Sequence, residues 1–224
     1  MGESLTLRSA DGFEFAAWRE LPPDARRGGL VLIQEIFGVT DHIRDLARRF
    51  AADGYEVLAP SLFERRSRGF EADYDAAGVA RGRELSEATP WAEVAADLQV
   101  CVDALQPPVF AVGYCWGGTA AWLAACRCSG LAAASAYYAR RIPELLAETP
   151  RCPIILNFGR DDASIPPSVR EEIADRHPEA PLYLYEAGHG FASDRRADHR
   201  DDAARLAHLR TLALFTRSAN RGEA

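Results

Sequence analysis

The order of apolar and polar positions along the chain alternates between two periods. Short alternating runs at residues 6–8 and 13–18 flank Asp11-Gly12, a dipeptide suited to a tight hairpin turn, so the chain opens with an antiparallel pair of strands. Residues 29–34 are then continuously apolar, as expected of a strand buried on both faces. From 42 to 53 the apolar positions 43, 46, 47 and 50 follow helical spacing, and Gly54 closes the helix. A strand over 55–59 ends at Pro60. The pattern then breaks down: residues 61–90 are polar, charged and weakly periodic, and are expected to form a long excursion with short helices over an active site.

Regular periodicity returns with an amphipathic helix at 91–105, a strand at 107–112 and a helix at 116–126. Further apolar strands are predicted at 131–138, 153–158 and 181–185, and a closing helix at 200–215. After the opening hairpin, strands alternate with helices. That order predicts an α/β fold with a mostly parallel sheet, helices on both faces and catalytic groups at the carboxyl ends of the strands. No repeat, low-complexity tract or linker divides the chain, so residues 1–224 read as one domain.

Composition narrows the chemistry. The formal charge is −7 with no dominant basic patch, which argues against nucleic acid as a partner. The sequence contains no lysine, which excludes Schiff-base chemistry and a phosphate-binding P-loop. No apolar run is long enough to span a bilayer and no signal-peptide pattern opens the chain, so a cytoplasmic protein without membrane attachment is expected. The five cysteines are odd in number and their spacing suits neither a disulfide framework nor zinc; reduced thiols and no metal are expected.

One cysteine stands apart. Residues 109–121 read as an apolar strand, then Gly113-Tyr114-Cys115-Trp116-Gly117-Gly118, then a helix start rich in small residues. This is the strand–nucleophile–helix turn of α/β-hydrolases with cysteine in the place usual for serine. A nucleophile on so sharp a turn occupies a strained backbone conformation, and glycines two residues either side relieve the crowding. A cysteine nucleophile needs a base, and the base an orienting group; in this fold they follow in the order nucleophile, acid, histidine. His189, in Gly188-His189-Gly190 just after a predicted strand, is placed to be the base. His42, His177, His199 and His208 lie on helices or in charged loops. The acid belongs after strand 153–158, where Asp161 and Asp162 compete; the spacing from Gly159 and to Pro166 favours Asp162. Glu35 ends another apolar strand, where this fold builds half of its oxyanion hole, and the backbone amides of Ile36 and Trp116 are the expected donors.

With Gln34-Glu35-Ile36-Phe37-Gly38, Gly113-Tyr114-Cys115-Trp116-Gly117-Gly118, Gly159-Arg160-Asp161-Asp162 and Ala187-Gly188-His189-Gly190-Phe191 in order, the chain resembles the dienelactone hydrolase family over nearly its whole length. The resemblance implies an α/β-hydrolase fold and a Cys115–His189–Asp162 triad that cleaves a carboxylic ester or lactone through a thioester. It also implies that Glu35 helps to form the thiolate as substrate binds. Family members open a carboxylated lactone in the breakdown of chloroaromatic compounds. The substrate-contact positions depart from the family pattern: Gly190 and Ser193 stand where serine and a carboxylate-binding arginine are usual. Arg195 and Arg196, just beyond, and Arg81 and Arg83 in the excursion are the candidate replacements, and Phe37 is expected to line the substrate site. The reading implies a small-molecule ester or lactone as partner, no cofactor, and a monomer or weak homodimer. A thiol redox or sensor protein on the same scaffold is the alternative from another class.

Overall fold

The computed structural model describes residues 2–219. The expected hairpin is formed by β1 (Glu3–Arg8) and β2 (Glu14–Glu20), paired antiparallel with Ser4 opposite Trp18 and Leu7 opposite Phe15. At its turn the Asp11 carboxylate accepts a hydrogen bond from the Phe13 amide at 3.0 Å, an Asx-type closure that explains the Asp-Gly signal. The other strands are β3 (Gly28–Ile33), β4 (Tyr55–Pro60), β5 (Val109–Tyr114), β6 (Leu131–Tyr137), β7 (Ile154–Gly159) and β8 (Leu182–Tyr185). They form one eight-stranded sheet in the order β1-β2-β4-β3-β5-β6-β7-β8. β2 pairs antiparallel with β4, and every later neighbour is parallel.

That order places the helices. The crossover from β3 through α1 (Asp41–Ala52) to β4 runs one way along the sheet, and that from β5 through α4 (Trp116–Arg127) to β6 runs the other. Right-handed crossovers then put α1 and α4 on opposite faces, and the direction reverses between β3 and β5. α6 (Asp201–Ala219) joins α1, with Phe50 packed on His208 at 4.7 Å between ring centroids. α3 (Trp91–Asp103) packs beside α4. α4 explains its own composition: Trp116 to Cys126 are all buried, so small residues fill the space around tightly packed Trp116, Trp122 and Leu123. β3 and β5 are buried throughout, as continuous apolar runs require.

Three features differ from expectation. The excursion 61–90 holds a single helix of 13 residues, α2 (Ala76–Ala88), after a stretch of turns. The strand expected at 107–112 is shifted to Val109–Tyr114. A helix not foreseen, α5 (Pro167–Arg176), follows β7; only Arg170 and Ile173 on it are buried, too few to give a helical apolar stripe. Among the described residues no helix is long and apolar enough to cross a membrane.

Candidate active site

The carboxyl end of β5 turns abruptly into α4 at Cys115, whose φ of 56° and ψ of −115° lie where side chains are rarely tolerated. Such a conformation costs on the order of 1–3 kcal/mol and persists only when its surroundings enforce it. They do so here by close backbone approach. A Cβ on Gly113 would lie 1.8 Å from the Gly117 carbonyl oxygen, and one on Gly117 would lie 2.2 Å from that of Gln34. The Cys115 amide donates to the Tyr137 carbonyl at 3.0 Å, pinning the turn to β6. The thiol therefore projects from the sheet edge at the amino end of α4, where the helix dipole favours negative charge.

His189 meets it from the loop after β8. Its Nε2 lies 3.2 Å from Cys115 Sγ and its Nδ1 lies 2.7 Å from Asp162 Oδ2. Of the two adjacent aspartates, Asp162 is the buried one that touches the imidazole; Asp161 is exposed at the cleft wall. Asp162 Oδ1 accepts from the Ser164 amide at 2.9 Å and from its hydroxyl at 2.5 Å. Burial alone would raise the Asp162 pKa, but the His189 and Ser164 hydrogen bonds overcome it and hold the carboxyl below its ordinary range. Burial likewise disfavours a charged His189, yet the facing Cys115 sulfur and the Asp162 carboxylate push it up to about 10.

Glu35, in the loop just after β3, has no exposed surface. Its Oε2 accepts from the Tyr74 hydroxyl at 2.8 Å, and its Oε1 lies 3.5 Å from Arg196 Nη1 with no hydrogen-bond partner among the described residues. Tyr74 packs on Phe37 at 4.2 Å between centroids, and the Arg196 guanidinium sits 5.9 Å from the Phe37 ring centre. Burial first, and Glu35 second, push the Tyr74 pKa upward, so it stays a neutral donor. Tyr74 was invisible to sequence reasoning because it sits in the irregular stretch before α2.

These groups converge on a cleft of about 400 Å³ lined by Ile36, Phe37, Cys115, Trp116 and His189 among others. Trp116 is the first residue of α4, so its amide has no acceptor within the helix, and the Ile36 amide donates to no other backbone carbonyl of its loop. Of the candidate arginines, Arg83 lines the cleft, whereas Arg81 and Arg195 do not. Arg81 is exposed and paired with Glu84 one turn along α2, and Arg195 is turned toward Asp45 on α1 at 2.9 Å. Arg196 takes the inward position instead. Arg140 and Arg141, after β6, also reach the cleft and were missed; their place just beyond a strand's carboxyl end is the signal that could have found them. Arg141 is engaged by Glu144 and the Ser86 carbonyl. Among the described residues the guanidiniums of Arg83 and Arg140 make no hydrogen bond or close ion pair, Arg140 acting on Glu144 only at longer range, and no group of three or more His, Cys, Asp or Glu could hold a metal ion.

A mostly parallel eight-stranded sheet with Cys115 on a strained strand-to-helix turn, and Asp162 and His189 in the loops after β7 and β8, has the architecture of an α/β-hydrolase. The chain belongs to the dienelactone hydrolase family, whose model matches residues 15–219, and it is a hydrolase of carboxylic esters or lactones. It is 29% identical over 238 residues to the carboxymethylenebutenolidase of Pseudomonas sp. strain P51, covering 96% of this chain and 95% of that one. A Synechocystis sp. protein assigned the same activity is 33% identical over 208 residues, covering 83% of this chain and 84% of its own. The crystal structure of a protein assigned as a dienelactone hydrolase from Klebsiella pneumoniae superposes with a TM-score of 0.85 at 28% identity, covering 96% of this chain and 98% of that one.

Proposed function

We propose that the enzyme cleaves a carboxylic ester or lactone that carries an anionic group, using Cys115 as nucleophile, His189 as base and Asp162 as its orienting acid. The observation that carries this reading is the continuous line from Asp162 Oδ2 to His189 Nδ1 at 2.7 Å and from His189 Nε2 to Cys115 Sγ at 3.2 Å. The thiolate adds to the substrate carbonyl, and the oxyanion is held by the Ile36 and Trp116 amides, each worth roughly 3–4 kcal/mol in such sites. Collapse expels the alcohol or enol, which takes a proton from His189, and leaves a thioester on Cys115. Water, deprotonated by His189, then releases the acid and restores the thiol.

Glu35 supplies the link to substrate binding. At rest its carboxylate is shared between Arg196 and Tyr74. An anionic substrate entering the cleft competes for Arg196, and the released Glu35 carboxylate assists transfer of the Cys115 proton to His189, so the nucleophile is armed when there is something to attack and His189 holds the proton that the leaving group takes. Arg83 and Arg140 on the cleft wall support an anionic substrate, since neither guanidinium makes a hydrogen bond or close ion pair among the described residues. A cytoplasmic location accompanies this reading, supported by five unpaired thiols.

The test is steady-state hydrolysis of p-nitrophenyl acetate by the wild type and by Cys115→Ala, followed by carboxylated lactones. Repeated turnover in the wild type and none in the variant is expected. Undiminished turnover in Cys115→Ala would overturn the assignment, and a stoichiometric burst without turnover would favour a reactive-thiol sensor.

A further inference from the structure

The loop after β7 carries one more group against the His189–Asp162 pair. Ser164 lies two residues beyond Asp162, and its backbone amide closes an Asx turn onto Asp162 Oδ1 at 2.9 Å. Its hydroxyl, 2.5 Å from the same oxygen, also lies 3.1 Å from His189 Nδ1. A hydroxyl has one proton. An ionised carboxylate can only accept, so that proton is directed at Asp162 Oδ1, and the face turned to Nδ1 is a lone pair. The His189 Nδ1–H thus points between two acceptors, Asp162 Oδ2 and Ser164 Oγ. On the far side the ring meets Tyr138 edge-on at 5.1 Å.

We propose that Ser164 is a positioning residue: its hydroxyl fixes the plane of the Asp162 carboxylate and offers a second acceptor to His189 Nδ1–H, which holds the imidazolium against the Cys115 thiolate. The inference rests on the reading of Cys115 and His189 given above. Two effects of removing the hydroxyl oppose each other. A carboxylate freed of one donor is more basic, which by itself would strengthen the imidazolium. A carboxylate free to rotate, and the loss of the second acceptor, weaken it. Positioning requires that the second effect win.

The decisive experiment follows carbamidomethylation of Cys115 by iodoacetamide, read by mass spectrometry of its peptide, from pH 4 to 10 in the wild type, Ser164→Ala and Ser164→Thr. In Ser164→Ala the pH at which Cys115 becomes reactive is expected to rise by about half a unit or more. In Ser164→Thr, which keeps the hydroxyl, it is expected to return to the wild-type value. Turnover of an ester should fall through kcat with KM little changed in the alanine variant alone. Ser164 is exposed and alanine retains the amide of the Asx turn, so the fold is preserved, which a thermal melt verifies. An unmoved profile, or one displaced to lower pH, would overturn the positioning role. If Cys115 is no more reactive than Cys101, Cys126, Cys128 and Cys152 at any pH in the wild type, the nucleophile assignment fails and the inference with it.

Discussion

Arg196 Nη1 stands 3.5 Å from Oε1 of Glu35, a carboxylate with no exposed surface. Removing one partner of a buried pair leaves an uncompensated charge, and the full penalty in a dry interior is about 3–5 kcal/mol. Here Tyr74 still holds the other oxygen and the guanidinium is a quarter exposed, so Arg196→Gln should cost about 1–2 kcal/mol. Adding Glu35→Gln removes the stranded charge and should recover most of that loss. Urea unfolding of the two single variants and the double variant checks this, since a pair that does not interact would give additive losses. On the proposed mechanism activity should not recover in the double variant, because the carboxylate that assists proton transfer from Cys115 is gone.

Arg140 and Arg81 make a matched contrast. Arg140 lines the cleft without a hydrogen bond or close ion pair among the described residues, whereas Arg81 is exposed, is paired with Glu84 and does not line it. Arg140→Ala should raise KM for a carboxylated lactone by roughly fivefold to tenfold, the loss of one partly solvated charge-assisted hydrogen bond, and leave a neutral p-nitrophenyl ester unaffected. Arg81→Ala should change neither. Equal effects of Arg140→Ala on both substrates would mean that the arginine shapes the cleft and does not read charge.

The pH dependence of stability has a definite sign. The folded protein holds the His189 proton to a pH of about 10, above the ordinary value of 6.5. The unfolded chain therefore loses that proton first. Stabilisation from this site is complete below about pH 6.5 and is lost as pH rises through about 10. Thermal melts across this range should show a decline in Tm for the wild type. The decline should shrink in Cys115→Ala, because the facing sulfur is the largest contribution that raises His189. A decline of the same size in both proteins would locate the titration elsewhere.

The legible part of this molecule is the part fixed by local pattern. The strand–Cys115–helix turn, the order of Asp162 and His189 after it, and the hairpin at Asp11-Gly12 are each set by neighbouring residues, and a sequence displays neighbours. The arginines were legible only in part: Arg83 was a candidate that does line the cleft, and the others were not legible, for the opposite reason. Arg195 and Arg196 are adjacent in an irregular loop, and nothing in their spacing says that one turns toward Asp45 and the other toward Glu35. Tyr74, Arg140 and Ser164 likewise act through contacts across the fold, with Glu35, the cleft and His189. Helix was expected somewhere in 61–90, but the length and bounds of α2 were hidden by its own glycines, Gly78 and Gly82, which weaken helical propensity in the element.

Gly82 also carries a prediction. A Cβ at this buried position would lie 2.3 Å from the Ile36 carbonyl oxygen, so α2 rests directly on the loop that offers the Ile36 amide to the cleft. Two effects compete in Gly82→Ala. Alanine favours the helix by about 1 kcal/mol, whereas overlap with a backbone atom costs typically about 1–3 kcal/mol because something must shift. The overlap wins, so a modest fall in Tm is expected. The chemical effect should be larger: pushing the Ile36 loop misaligns an oxyanion donor, and a displacement near 1 Å can cost about a hundredfold in rate. We expect kcat to fall at least tenfold with KM changed far less, measured on the same ester as the wild type. A variant with raised Tm and unchanged kcat would mean that α2 does not set the position of Ile36, and that the glycine is tolerated there without being needed.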